Sequence, residues 1–140
     1  MKTFERDGIK LQFPDNWKVE VEDSQEGWTV EGQSPGTAFL VASYDPGMDD
    51  PTAMADAVLE GLREEYSQLD ADNALETIAG QPSVGFDINF IHLDLTNSCW
   101  VRTLEAGVGS LLLMGQCTDD ELDLYEHELQ QVMQSTEIEE

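Results

Sequence analysis

A two-residue hydrophobic beat runs through most of this chain and gives way to helical spacing in only two segments. Ile9, Leu11 and Phe13 alternate with Lys10 and Gln12, so one face of that strand is buried. Pro14-Asp15-Asn16 breaks it, and Trp17-Lys18-Val19-Glu20-Val21 resumes the beat before Trp28-Thr29-Val30-Glu31 repeats it. Thr37–Tyr44 is nearly all apolar and reads as a central strand. The first helical segment is expected over Asp50–Leu69. Asp50-Pro51 supplies an N-cap and a first-turn proline, and Met54, Val58, Leu62, Tyr66 and Leu69 form one stripe. The second is expected over Asp119–Thr136, with Leu122, Tyr125, Leu129, Val132 and Met133 as its stripe. Thr118-Asp119-Asp120-Glu121 has the form of a capping box, and its acids suit the helix dipole. Strands grouped on both sides of one helix, with a second helix at the end, predict an α/β chain of the α+β kind. Its antiparallel twisted sheet is packed with two main helices.

The punctuation agrees with a single domain over residues 1–140, without repeats or linkers. Asp7-Gly8 predicts a hairpin between Thr3–Arg6 and Ile9–Phe13. Asp23–Gly27, Ser34-Pro35-Gly36 and Gly80-Gln81-Pro82 read as turns, Asp45–Asp50 as a loop, and Asp70–Asn73 as the stop of the first helix. Ala74–Ile78 is a short strand. Ser83–Leu95 reads as a long one in which apolar positions shift from even (Val84, Phe86, Ile88, Phe90) to odd (Ile91, Leu93, Leu95), predicting a bulge or sharp twist at 90–91. Cys99–Glu105 and Val108–Cys117 form a hairpin. With Ala106-Gly107 as its turn, Cys99 faces Met114 and Cys117 points to the opposite side of the sheet.

Charge narrows the function. Thirty acidic residues oppose six basic ones, a formal net charge of −24. The excess is uneven: residues 1–18 hold Lys2, Arg6, Lys10 and Lys18, whereas only Arg63 and Arg102 follow. Such a field repels phosphate backbones and anionic lipid, so nucleic acid and membrane are not expected partners. It favours cations and basic protein surfaces. Hydrophobic residues make up 40%, clustered and periodic, which argues against disorder. The amino terminus lacks the apolar run of a signal peptide, and a cytoplasmic setting with reduced Cys99 and Cys117 is expected.

Gly8–Phe13 followed by Pro14-Asp15-Asn16-Trp17 resembles the opening of the fold shared by the photosystem protein PsbP and the Ran-binding import factor Mog. The chain is also similar to bacterial relatives of that fold, among them small lipoproteins and chaperones of type VI secretion effectors. The later order matches as well: a helix after Thr37–Tyr44, Gly80-Gln81-Pro82 into a long strand, a hairpin, and a terminal amphipathic helix. The resemblance implies a PsbP/Mog-like α/β/α sandwich over nearly the whole chain, and protein binding or an accessory role more often than catalysis. No lipobox or transit segment accompanies it.

The residues themselves offer little catalytic chemistry. His92 and His127 lie on different elements, Gly107-Val108-Gly109-Ser110 lacks the lysine of a phosphate loop, and the cysteines lack zinc-ligand spacing. Asp45, Asp49 and Asp50 share one loop, and Asp70, Asp72 and Asn73 another. Hard cations take such oxygens, though neither stretch has EF-hand spacing. Trp17, Trp28 and Trp100 could line an aromatic groove, but Trp17 opens a strand and Trp28 and Trp100 sit within strands, so the core is the expected place for most of them. The expected function is a non-catalytic binding or adaptor module, without a cofactor, for a basic protein partner or in a homodimer. A secretion-effector chaperone and a Ca²⁺-binding accessory protein are the alternatives. Adaptation to high salt would explain the acidity without any partner.

Overall fold

The computed structural model describes residues 1–24 and 26–139. Gln25, inside the turn expected over Asp23–Gly27, lies outside the described residues, as does Glu140. The elements run β1 (Lys2–Arg6), β2 (Ile9–Phe13), β3 (Lys18–Asp23), β4 (Trp28–Gln33), β5 (Phe39–Asp45), α1 (Pro51–Glu65), β6 (Leu69–Ile78), β7 (Gln81–His92), β8 (Leu95–Ala106) and β9 (Gly109–Thr118). A short 3-10 turn, Asp119–Glu121, leads into α2 (Leu122–Gln134), and β10 (Glu137–Ile138) closes the chain.

Seven strands form one antiparallel sheet in the order β3-β4-β5-β9-β8-β7-β6, and β1-β2-β10 form a small second sheet. Helix α1 packs against β7, β8 and β9, and α2 against β9, β5 and β2. The faces follow from side-chain alternation: Met114 clusters with Leu59 of α1, whereas a Cβ on Gly115 would meet Leu129 and Met133 of α2. The expected α+β class, antiparallel sheet and two packing helices are all present. One cluster, under α1, holds Leu59, Ile88, Phe90, Cys99 and Val101. The larger one lies between the sheets and α2, around Trp17, Trp28, Leu40, Leu113 and Leu129.

The small sheet is held by aromatic contacts. Phe4 meets Trp28 edge-on at 4.7 Å, and the Trp28 indole donates to Asp7 Oδ2 at 2.9 Å. Phe13 packs close against the main sheet where Gly32 leaves room, since a Cβ there would stand 2.4 Å from the Phe13 ring.

Several local expectations need correction. Helix α1 ends at Glu65 rather than Leu69; Tyr66 turns extended (φ −120°), and its N–H still reaches the Leu62 carbonyl at 2.8 Å. Leu69 then opposes Phe90 as the first residue of β6, and Asp70–Asn73 belong to that strand. An apolar residue at Leu69 keeps the α1 face covered from either element, so the stripe overran the helix end. No bulge interrupts β7, because pairs run unbroken from Val84↔Thr103 to His92↔Leu95. Instead Leu93 and Asp94 adopt positive φ (52° and 64°) and form a two-residue turn. The phase slip therefore marks a hairpin end, where Ile91, Leu93 and Leu95 stand exposed.

The β8–β9 turn is at Gly107-Val108, so Cys99 faces Gln116 rather than Met114. A shift of two residues preserves the faces: Cys99 lies under α1 and Cys117 in the larger cluster, both as free thiols. The capping box does not form, since Thr118 makes no side-chain cap. Glu121 reaches across to the Thr37 N–H (2.8 Å) and hydroxyl (2.6 Å) instead, tying the turn before α2 to the β4–β5 loop.

Leu129 is 1% exposed in the larger cluster and touches the sheet at Gly115. Leu129→Ala should cost about 2–5 kcal/mol in urea unfolding, whereas exposed Gln130→Ala should stay within about 0.5 kcal/mol. Equal midpoints would contradict this packing.

Candidate functional site

The two faces of the main sheet are covered unequally. The small sheet and α2 lie on the face that carries Trp28, Leu40 and Leu113. On the other face α1 covers β7, β8 and β9, and beyond it the outward residues of β5 and β4 form a shelf. Phe39, Val41 and Ser43 lie opposite Gln33, Glu31 and Thr29, with Gln116, Met114 and Leu112 of β9 behind them. Phe39, Val41, Leu112 and Met114 are each half-buried. The Thr29 and Ser43 hydroxyls satisfy one another at 3.0 Å, which leaves this part of the shelf without an unpaired hydroxyl.

Its rim is acidic. Glu20 and Glu31 stand directly opposite on β3 and β4, an unfavourable like-charge pair, and Lys18 reaches Glu20 at only 3.7 Å with both groups well exposed. At one end a recess of about 410 Å³ is bounded by Ser24, Glu26, Gly27, Thr29, Ser43 and Asp45.

The residues singled out from the sequence are dispersed. Trp17 and Trp28 are fully buried in the larger cluster, and Trp100 is half-buried against it. Among the described residues the buried Trp17 indole N–H finds no hydrogen-bond partner. Asp45 Oδ1 accepts from the Gly47 N–H at 2.9 Å and Asp50 Oδ1 from the Thr52 N–H at 3.0 Å, a turn and the cap of α1 respectively, while Asp49 is exposed. Among the described residues no group of three His, Cys, Asp or Glu side chains is placed to hold a metal ion. His127 is exposed on α2, and His92 meets Tyr66 edge-on at 5.3 Å. Burial, with Glu65 beside it, raises the Tyr66 pKa above the ordinary phenol value.

Among the described residues one charged group is buried. The Arg102 side chain, 7% exposed, donates from Nε to Glu76 Oε1 and from Nη2 to Asp87 Oδ1, both at 2.8 Å. Its Nη1 serves the carbonyls of Phe86 (3.2 Å) and Val101 (3.0 Å). Gln134 of α2 bonds the other Glu76 oxygen at 2.6 Å. Sequence reasoning missed this network and the shelf. An arginine amid Trp100, Val101, Leu104 and few other cations was the available signal for the first. For the second it was the polar Ser43, Glu31 and Gln33 beside an apolar strand.

No family model matches the chain, and no curated protein matches it in sequence. Solved bacterial structures share its fold. It superimposes on LpqN of Mycobacterium tuberculosis, described as involved in cell envelope biogenesis, with a TM-score of 0.57 and 14% identity over 94% of this chain and 83% of that one. PA94 of Pseudomonas aeruginosa, a protein of unknown function, gives 0.57 and 20% over 96% and 94%. A Bacteroides thetaiotaomicron protein gives 0.64 and 13% over 99% of this chain, which spans 48% of that one. At these identities the likeness is one of fold. None of the three carries a PsbP or Mog name. Among the described residues no helix is long and apolar enough to cross a membrane.

Burial pushes the Cys99 thiol up to about 12, against a smaller lowering by Arg102. Burial and then the carboxylates of Asp119, Glu126, Glu121 and Asp120 push Cys117 up to about 11. Both raised values favour the neutral thiol in the folded state. Their stabilisation is complete below the unfolded value of about 9 and is lost as pH rises from there towards 11–12. Between pH 8 and 10.5 the wild type should lose roughly 1–2 kcal/mol more per thiol than a Cys99→Ala/Cys117→Ala variant, read from urea midpoints. Repulsion among exposed carboxylates should also ease with salt, so the melting temperature should rise equally in NaCl and KCl as screening shortens to about 10 Å at 0.1 M. A flat response would mean the carboxylates are already harmlessly spaced.

Proposed function

We propose that this protein is a non-catalytic protein-binding module whose partner seats on the shelf of β5 and β4 beside α1. The observation that carries the reading is a half-apolar sheet face left bare by both helices and rimmed by Glu20 and Glu31. Strands β5, β4 and β3 lie about 4.8 Å apart, and an α-helix with its side chains is about 10–12 Å across. The shelf thus accommodates one amphipathic helix, its apolar stripe over Phe39 and Val41, against the border that Met114 forms with α1, and its basic flank toward the glutamates. This is also the chemistry that a chaperone of secretion effectors would need, and that narrower role is the second reading. The calcium-binding alternative lacks comparable support, because Asp45 and Asp50 are spent on a turn and a helix cap.

A photo-crosslinking residue at Val41 should trap a discrete partner in cells of the source organism, whereas one at exposed Arg63 on α1 should not. Val41→Asp should abolish capture by the tagged protein while leaving the melting temperature within a few degrees. Equal crosslinking from both positions, or none from Val41, would overturn the reading. A partner segment that is helical and apolar would favour the chaperone role.

A further inference from the structure

We infer that the outer edge of β6 is a strand-addition site for an extended basic segment of a partner protein. This surface is separate from the shelf and does not depend on it. β6 is the last strand of the main sheet, ten residues long and paired with β7 in unbroken register from Leu69↔Phe90 to Ile78↔Gln81. Ala79 and Gly80 (φ 55° and 75°) form a two-residue turn, which makes Ile78 and Gln81 a hydrogen-bonded pair. Even-numbered residues of β6 therefore bond to β7, and the Ile91 N–H donating to the Gln68 carbonyl at 3.3 Å continues that parity. The N–H and C=O groups of Leu69, Ala71, Asn73 and Leu75 then point away from the sheet. Among the described residues the only group of this outer row with a partner is the Thr77 carbonyl, bonded by Gln134 at 3.1 Å.

Edge strands in soluble proteins are ordinarily shortened, bulged or blocked by lysine or proline. β6 has no lysine, proline or bulge and is nearly twice the typical strand of about 5–6 residues. Its protection is the negative charge of Asp70, Asp72 and Glu76, which repels acidic or like strands and leaves a basic one admissible. Its charges select the occupant. Asp70 and Asp72 project exposed from one face, in rows that continue through Asn89 and through Asp87. Asp72 stands directly opposite Asp87, whose carboxylate is already taken by Arg102, so Asp70 and Asp72 are the carboxylates left for a cation on the outer side. β6 contains no basic residue, so a second copy adding antiparallel would oppose acids with acids. An added strand with lysine or arginine at alternate positions would meet Asp70 and Asp72. Its other side chains would lie beside Ala71 and Leu75, the latter 82% exposed.

The test uses a capped nine-residue peptide of alternating lysine and valine with the full chain. Saturating peptide should slow amide hydrogen exchange at Leu69, Ala71, Asn73 and Leu75. Asp70→Asn with Asp72→Asn should weaken binding about two- to fivefold per charge and flatten its salt dependence. Asn73→Pro, which removes an outward N–H, should abolish it. The same peptide N-methylated at alternate residues should not bind, because it cannot complete the ladder. Unchanged exchange at those four amides would overturn the proposal. So would equal affinity for the methylated peptide, which would reduce the interaction to charge alone. Protection of the same amides by concentration-dependent dimerisation without peptide would give the edge to a second copy and overturn it equally.

Discussion

The outer half of this fold depends on one buried cation. Arg102 comes from β8, yet its guanidinium binds carboxylates on β7 and β6 and two backbone carbonyls, while Glu76 passes the contact on to Gln134 of α2. Gly85, directly opposite Arg102, makes room, since a Cβ there would lie 1.8 Å from the Val101 carbonyl oxygen. Arg102 is 7% exposed while Glu76 and Asp87 are 30% and 52% exposed, so the costly loss is that of both carboxylates, which would strand a buried cation, rather than of either one alone. A chain with only six basic residues has placed one of them where it fastens three strands and a helix.

This arrangement explains how an acidic strand can stand at the end of the sheet. Glu76 is neutralised from within, so Asp70 and Asp72 can remain unpaired on the outside without loosening β6. At the opposite end of the sheet the carboxylates of Glu20 and Glu31 face solvent beside the bare shelf. Two pairs of carboxylates thus border uncovered surface: Glu20 and Glu31 beside the shelf, and Asp70 and Asp72 along the β6 edge.

The sequence was legible wherever a local signal had one physical solution. Asp7-Gly8 permits a tight hairpin, Asp50-Pro51 opens a helix, and the Leu129–Val132–Met133 stripe must be buried; all three are as read. Legibility failed where one pattern had two solutions. Tyr66 and Leu69 keep the same face covered whether the chain is helix or strand, so the end of α1 was misjudged. The slip at Ile91 fits either a bulge or an approaching turn, and only pairing with β8 decides. Signals arising from distant residues were invisible: β10 is two residues long and exists because β2 is there to receive it, and Glu121 abandons its expected cap for Thr37, eighty-four residues away. The tryptophans lie in or against the core as their strand positions implied, whereas residue type did not disclose that Asp45 and Asp50 are already occupied by a turn and a helix cap. The shelf and the β6 edge are defined by what fails to cover them, a property of topology.

The order β1-β2-β10 has a kinetic consequence. The middle strand of the small sheet is made long before its second neighbour, Glu137–Ile138, and before the helix that seals the space beneath, Leu122–Gln134. Until those residues leave the ribosome, Ile9, Leu11 and Phe13 have no complete burial site, and the amino-terminal hairpin must wait with its apolar face open. Closure therefore joins Ile9 to Ile138 in a step with high sequence separation, the kind of contact that slows folding most. A nascent chain halted before residue 122 would display the sticky side of the hairpin, and co-translational quality control would see it first there.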